Sequence, residues 1–177
     1  MSAAARVAAG PPPRWQPAYV GVGSNLAGPQ EQVRGALDAL ARLPASRVVV
    51  RSPLYRTAPM VRAGDSGAQP SYVNAVAGLL TQLPPEELLA ALRRLEVALG
   101  REPARERWAP RRIDLDLLVY GRETRATEAL RLPHPGIAER DFVLYPLADI
   151  APHLDVPGLG RVAMLRARVP DRGMEKL

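Results

Sequence analysis

Two aspartates with one residue between them, Asp114 and Asp116, fall in the run Arg111-Arg112-Ile113-Asp114-Leu115-Asp116-Leu117-Leu118-Val119-Tyr120. Apart from the two acids, Ile113 to Tyr120 is β-branched or large and apolar, and it is bounded by Pro110 and Gly121, which predicts a strand. Strand side chains alternate. Ile113, Leu115, Leu117 and Val119 are therefore expected on one face, with Asp114, Asp116, Leu118 and Tyr120 on the other. The carboxylates then lie roughly 7 Å apart along the backbone on a shared face. Carboxylates so close repel, the more so when buried. A divalent cation that prefers oxygen relieves the repulsion, and Mg²⁺ is usually held by one or two carboxylates plus substrate phosphates. Arg107, Arg111 and Arg112 fit the same chemistry, because guanidinium groups are the preferred partners of phosphate oxygens. An isolated D-x-D also fits an edge strand whose acids pair with local arginines. The apolar flanks Leu115, Leu117, Leu118 and Val119 instead point to a central, buried strand, in which an acidic pair needs a partner.

The elements that must position this strand follow from periodicity and punctuation. Met1 to Pro17 is Ala- and Pro-rich, with no apolar block like that of a secretory signal, and is expected to be a disordered extension to one domain spanning residues 18–177. Ala18 to Gly23 predicts a short strand, with Gly21, Gly23 and Ser24-Asn25 punctuating its end as a tight turn. No G-K-[ST] follows and the glycines do not make G-x-G-x-x-G, so neither a P-loop nor a dinucleotide fold is supported. Between Gln30 and Leu43, Val33, Ala36, Leu37, Leu40 and Ala41 recur at helical spacing before Pro44. Val48 to Arg51 predicts a strand and Ser52 to Met60 an extended segment held out of helix by its prolines. Val61 to Pro70 reads as a loop and Ser71 to Leu80 as a strand. Pro84-Pro85-Glu86-Glu87 starts a helix whose Leu88, Leu92, Leu95 and Leu99 repeat by turns until Gly100, with Arg93 and Arg94 on its solvated face. Beyond the Arg-rich loop Arg101 to Arg112 and the acidic strand, a loop at Leu130 to Pro135, a short helix near Gly136 to Asp141, an apolar stretch Phe142 to Leu147 and a tail complete the chain.

Strand, helix, strand, strand, helix, strand is the order of a ferredoxin-like α+β unit, an antiparallel sheet with helices packed on it, here with extra C-terminal strands and helices. At 177 residues the chain is the size of one domain, and without cysteine it has no disulfide, thiolate metal site or thiol nucleophile. A formal charge of +6, carried almost wholly by arginine, favours anionic ligands, nucleotide and nucleic acid alike. No apolar run approaches the ~20 residues of a membrane span. The expectation is a cytoplasmic protein without membrane or nucleic-acid partners, a monomer by first reading with a dimer allowed.

The run from Arg107 to Gly121, R-W-A-P-R-R-I-D-L-D-L-L-V-Y-G, resembles the signature of the 6-hydroxymethyl-7,8-dihydropterin pyrophosphokinase family of the folate pathway. The likeness continues through Y-V-G-V-G-S-N-L, Y-R-T-A-P-M and L-P-H-P, in order, and covers about Ala18 to Gly160. It implies a ferredoxin-like fold with additions, ATP as co-substrate, and attack by the pterin hydroxymethyl oxygen on the β-phosphorus with AMP leaving. It also implies two Mg²⁺ ions between Asp114 and Asp116, with Arg101 and Arg111 compensating charge on the transferring group and no side-chain general base. For the pterin it implies main-chain groups at Thr57 and Ala58, Asn74 on the ring's amide edge, Tyr72 and Phe142 holding the ring, and Trp108 covering it. Phe142, the chain's only phenylalanine, fits core packing equally well. For ATP it implies Glu96, Arg101, Arg111, His134 and Arg140. The chain departs from the pattern at Pro103 and Ala129, where some relatives carry basic residues; Arg105 and Arg131 stand nearby. The loop before Tyr72 is also longer than in compact relatives. Two other readings are another D-x-D metal-dependent nucleotide transferase and a basic ferredoxin-like RNA-binding module. Against the second stands a sheet face carrying acids where base-stacking aromatics are expected.

Overall fold

The computed structural model describes residues 14–59, 70–101 and 111–177. Small and branched apolar residues alternating with Tyr19, Gly21 and Gly23 build strand β1 (Gln16–Ser24). It starts inside the stretch expected to be an extension, of which residues 1–13 lie outside the described residues. Helix α1 (Pro29–Leu40) has proline in its first turn, where the missing N–H costs nothing, and buries Val33, Ala36, Leu37 and Leu40 as a stripe. After β2 (Ser46–Arg51), β3 (Tyr55–Thr57) and β4 (Tyr72–Thr81) comes α2 (Pro85–Ala98), with Glu86 and Glu87 at its positive end. Gly100, at φ 86°, takes the left-handed conformation that ends it. Arg93 and Arg94 are exposed, as expected. The acidic strand is β5 (Asp114–Tyr120). Two short ribbons, β6 (Arg125–Ala126) with β7 (Arg131–Leu132) and β8 (Asp155–Val156) with β9 (Gly160–Arg161), flank α3 (Asp141–Ile150). Helix α4 (Val162–Arg168) and strand β10 (Glu175–Lys176) end the chain.

The main sheet is antiparallel throughout, in the order β10-β3-β4-β1-β5, with β2 also paired to β4. This is the ferredoxin-like α+β arrangement expected. One face buries Ala18, Val20, Val22, Val73, Ala75, Ala77, Leu79, Leu115 and Leu117 against α1 and against Leu88 and Leu92 of α2. The opposite face carries Val76 and Leu118, packed with Val143, Leu144 and Leu147 of α3 and Val162 and Leu165 of α4. Toward the Ser24 end of β1 this second face changes from apolar to polar.

Three expectations are corrected. β5 is an edge strand, not a central one; its apolar character comes from two buried faces, while its free edge is served by a side chain and a loop rather than another strand. The alternation along β5 also breaks. Pairing to β1 passes from Val20↔Leu117 to Tyr19↔Val119, so Leu118 is an extra, bulged residue. Tyr120 therefore joins Leu115 and Leu117 in the first core, its hydroxyl donating to Leu83 O at 2.7 Å, while Val119 joins Leu118 in the second. Residues 135–139 form turns instead of a helix, and the helix starts at Asp141 and takes in the apolar stretch Phe142 to Leu147. The extra C-terminal strands and helices expected include α4 and β10. Among the described residues no helix is long and apolar enough to cross a membrane.

Candidate active site

Cross-strand register explains how residues far apart in sequence come together. Gly23 of β1 lies opposite Asn74 on one side and Asp114 on the other, and Gly21 lies opposite Val76 and Asp116. Opposed residues in an antiparallel sheet share a face. Tyr72 and Asn74 of β4 therefore face the same way as Asp114 and Asp116 of β5, across a middle strand that contributes no side chain at either level. A Cβ on Gly23 would stand 2.9 Å from Asn74 Oδ1, so the Asn74 amide occupies the space that glycine leaves. The glycines, expected to mark a turn, are instead the floor of a trough in the polar part of the sheet.

On the acidic side, Arg111 Nη1 donates to both oxygens of Asp114 at 3.2 Å and Arg101 Nη1 to Oδ1 at 3.0 Å. Asp116 has no arginine within ion-pair distance among the described residues; its nearest ionisable partner is His134, with Nε2 at 4.0 Å from Oδ2. Crowding by surrounding protein and then the charge of Asp114 push Asp116 up to about 6, against the pull of Arg140, Arg111 and Arg101. Burial lowers His134 to about 4, with the charge of Arg140 adding to it. His134 Nδ1 accepts the Gly136 N–H at 3.1 Å, so the neutral ring carries its proton on Nε2, toward Asp116. The His134 backbone N–H donates to Leu118 O at 2.8 Å and so covers part of the free edge of β5.

Glu96 of α2 covers another part. Its buried carboxylate accepts the Leu115 N–H at 2.7 Å and also contacts Arg101, which aims that arginine at Asp114. Burial raises Glu96 to about 7, opposed by the Leu115 N–H and by Arg101. Arg111 is fixed from behind by residues whose importance the sequence did not disclose. Its N–H donates to Asn25 Oδ1 at 2.9 Å while the Asn25 N–H donates to its carbonyl at 3.2 Å, and Ser24 Oγ donates to Arg112 O at 2.6 Å. The Ser-Asn pair after Gly23 was the available signal, read only as a turn.

Of the residues expected around the acceptor, Asn74 Nδ2 donates to Thr57 Oγ1 at 2.8 Å, which leaves one N–H and the carbonyl oxygen of Asn74 for a ligand. Ala58 follows Thr57 at the end of β3. Burial raises the Tyr72 phenol, while the charges of Arg111 and Asp114, both within electrostatic reach, act on it in opposite directions. Phe142 is partly buried against the second core, and the Arg140 guanidinium lies 5.7 Å from its ring centroid. Trp108, Pro103, Arg105 and Arg107 lie outside the described residues, as does most of the loop before Tyr72.

Two acids and two arginines on one bank of a trough, with an amide on the other, are the chemistry a polyphosphate-dependent transferase calls for. A family model described as 7,8-dihydro-6-hydroxymethylpterin-pyrophosphokinase (HPPK) matches residues 19–152, and the chain belongs to that family. A 2-amino-4-hydroxy-6-hydroxymethyldihydropteridine pyrophosphokinase of Pseudomonas aeruginosa is 46% identical over 163 residues, 92% of this chain and 97% of the relative. One from Haemophilus influenzae is 40% identical over 160 residues, 90% of this chain and 97% of that protein. The crystal structure of Plasmodium falciparum wild-type HPPK-DHPS with pteroate superposes with a TM-score of 0.69 at 12% identity, a likeness of fold. It covers 88% of this chain, which spans only 42% of that one.

Asp116 yields a stability prediction. A folded-state value raised above the unfolded one means that the ionised carboxylate destabilises the fold above about pH 6, and that the penalty disappears as pH falls toward the unfolded value near 4. Asp116→Asn should thus stabilise the metal-free protein at pH 8 by about 1 kcal/mol, a figure reduced for a side chain that is 39% exposed. Urea unfolding in EDTA at pH 8 and pH 4.5 checks this; the gain should shrink at the lower pH, and a variant less stable than wild type at pH 8 would contradict it.

Proposed function

We infer that the trough works on ATP and a dihydropterin alcohol. The chain transfers pyrophosphate from ATP to the hydroxymethyl group of 6-hydroxymethyl-7,8-dihydropterin, releasing AMP, a step of folate biosynthesis. The observation that carries the assignment of roles is the row Asn74–Gly23–Asp114, which sets an amide and an acid on facing banks of one groove.

Asp114 and Asp116 suit magnesium. Both are hard oxygen donors, and Asp116 is crowded, raised and without an arginine among the described residues. No third His, Cys, Asp or Glu joins them among the described residues, so the remaining ligands would be phosphate oxygens and water. Asp114 and Asp116 would hold two such ions, which would supply charge neutralisation of the triphosphate and acidity to the attacking alcohol. Arg101 and Arg111, parked on Asp114 in the free protein, turn to the transferring group when nucleotide binds and hold its developing charge. Glu96 serves the nucleotide through Arg101, and Arg140 and His134 complete that side. His134, neutral at working pH, donates from Nε2. Across the trough, Asn74 reads the amide edge of the ring with Thr57 and Ala58, and Tyr72 and Phe142 contact its faces. No side chain is needed as a base, because an alcohol so acidified would pass its proton to water.

Incubation with ATP, Mg²⁺ and the hydroxymethyl-dihydropterin should yield AMP and the pterin diphosphate in equal amounts, and no AMP without the pterin. Asp114→Ala should lower kcat by about 10²-fold or more while remaining folded. ADP as product, or an active Asp114→Ala variant, would contradict these roles. Gly23→Ala pushes a methyl into the Asn74 amide; the pterin KM should rise about tenfold with the ATP KM little changed. Equal effects on both substrates would remove Asn74 from the acceptor pocket.

A further inference from the structure

The residues beyond α4 hold α3 at both ends. Asp141, the first residue of α3, is 1% exposed. Its Oδ2 accepts Arg172 Nε at 2.9 Å, Arg172 Nη2 makes a second contact to Oδ1, and Oδ1 also accepts the Phe142 N–H at 2.8 Å. Burial alone would raise this carboxyl, but Arg172 and the N–H outweigh it and hold it below the usual carboxylate range. Near the other end of α3, Lys176 Nζ lies 3.0 Å from Asp149 Oδ2, which also accepts the Tyr55 hydroxyl at 2.5 Å. The same stretch adds β10 to β3 through Glu175↔Arg56 and Lys176↔Tyr55, and the Leu177 N–H donates to Leu54 O at 2.9 Å.

The segment therefore joins β3, which leads into Thr57 and Ala58, to the helix start where Arg140 and Phe142 flank the buried Asp141. Arg140 has an extended backbone, its guanidinium packed in the space a Cβ at Gly136 would need and lying over the Phe142 ring. Asp141 is thus held by a two-pronged guanidinium between two neighbours whose side chains stack on each other. The side chain of Arg172 is 42% exposed, so replacing it removes little packing.

We propose that Arg172 is a positioning residue for the transfer: through buried Asp141 it sets Arg140 for the nucleotide and Phe142 for the pterin, making the C-terminal segment a strap across both halves of the site. The proposal rests on the functional reading above. Arg172→Ala, Arg172→Lys and Asp141→Asn in the full chain test it by steady-state kinetics, calorimetry with a non-hydrolysable ATP analogue plus Mg²⁺, and thermal unfolding. Arg172→Ala should raise both KM values about tenfold with kcat within about threefold, and weaken the analogue about fivefold. Arg172→Lys should recover the melting temperature but less than half of the lost affinity, because an ammonium cannot replace the two-pronged contact. A folded Arg172→Ala with both KM values within about twofold of wild type, or with kcat lowered and KM unchanged, would overturn the proposal. Should Arg172→Ala not fold, Asp141→Asn, which keeps the volume and an acceptor for Phe142, decides on the same criteria. A wild type inactive on the pterin would sink the functional reading instead, and the analogue titration still judges the strap.

Discussion

Repulsion between Asp114 and Asp116 is the constraint on which the rest of the structure depends. Two acids on one face of one strand are tolerated in the free protein because they are treated differently: Asp114 is neutralised by Arg101 and Arg111, whereas Asp116 is crowded and raised. In the proposed reading, the imbalance is also what makes the site ready for a cation and a polyphosphate, since both arginines have an alternative partner of their own geometry in phosphate oxygens. Glu96, Asn25 and Ser24 belong to this arrangement although none lies in the D-x-D run: the first aims Arg101, and the other two anchor the backbone of Arg111 and Arg112.

Topology then sets a second bank opposite the acids. In a ferredoxin-like sheet the first strand lies between the third and the last, so β1 separates the amide of Asn74 from the carboxylate of Asp114. Glycine at positions 21 and 23 turns that separation into a groove. Placing β5 at the sheet edge has its own cost, a row of unpaired backbone groups. Here the Glu96 carboxylate and the His134 N–H take up two of them, and both residues are then held beside the acids.

The order of strands and helices was legible because each has a strong period, and the acidic pair because strand alternation is simple. The position of β5 was not: a strand with two buried faces has the same apolar pattern at an edge as in the middle when a carboxylate serves its outer N–H. Nor was the bulge at Leu118, since Leu117-Leu118-Val119 is apolar in either register. Helix α3 was concealed by Pro146 within it, and its first residue Asp141 took its meaning from Arg172, thirty-one residues away. Gly21 and Gly23 looked like punctuation because glycine in a strand and glycine in a turn are the same letter; only the cross-strand register shows what their missing side chains leave open.

The claim that the acidic pair exists to share cations with a polyphosphate is tested most directly by counting ions. Mn²⁺ titration followed by electron paramagnetic resonance, with a saturating non-hydrolysable ATP analogue, should find two ions bound per chain, and far weaker binding without the nucleotide. An unchanged ion count in the Asp114→Ala/Asp116→Ala double variant, or tight nucleotide binding with no ion held by the chain, would contradict it.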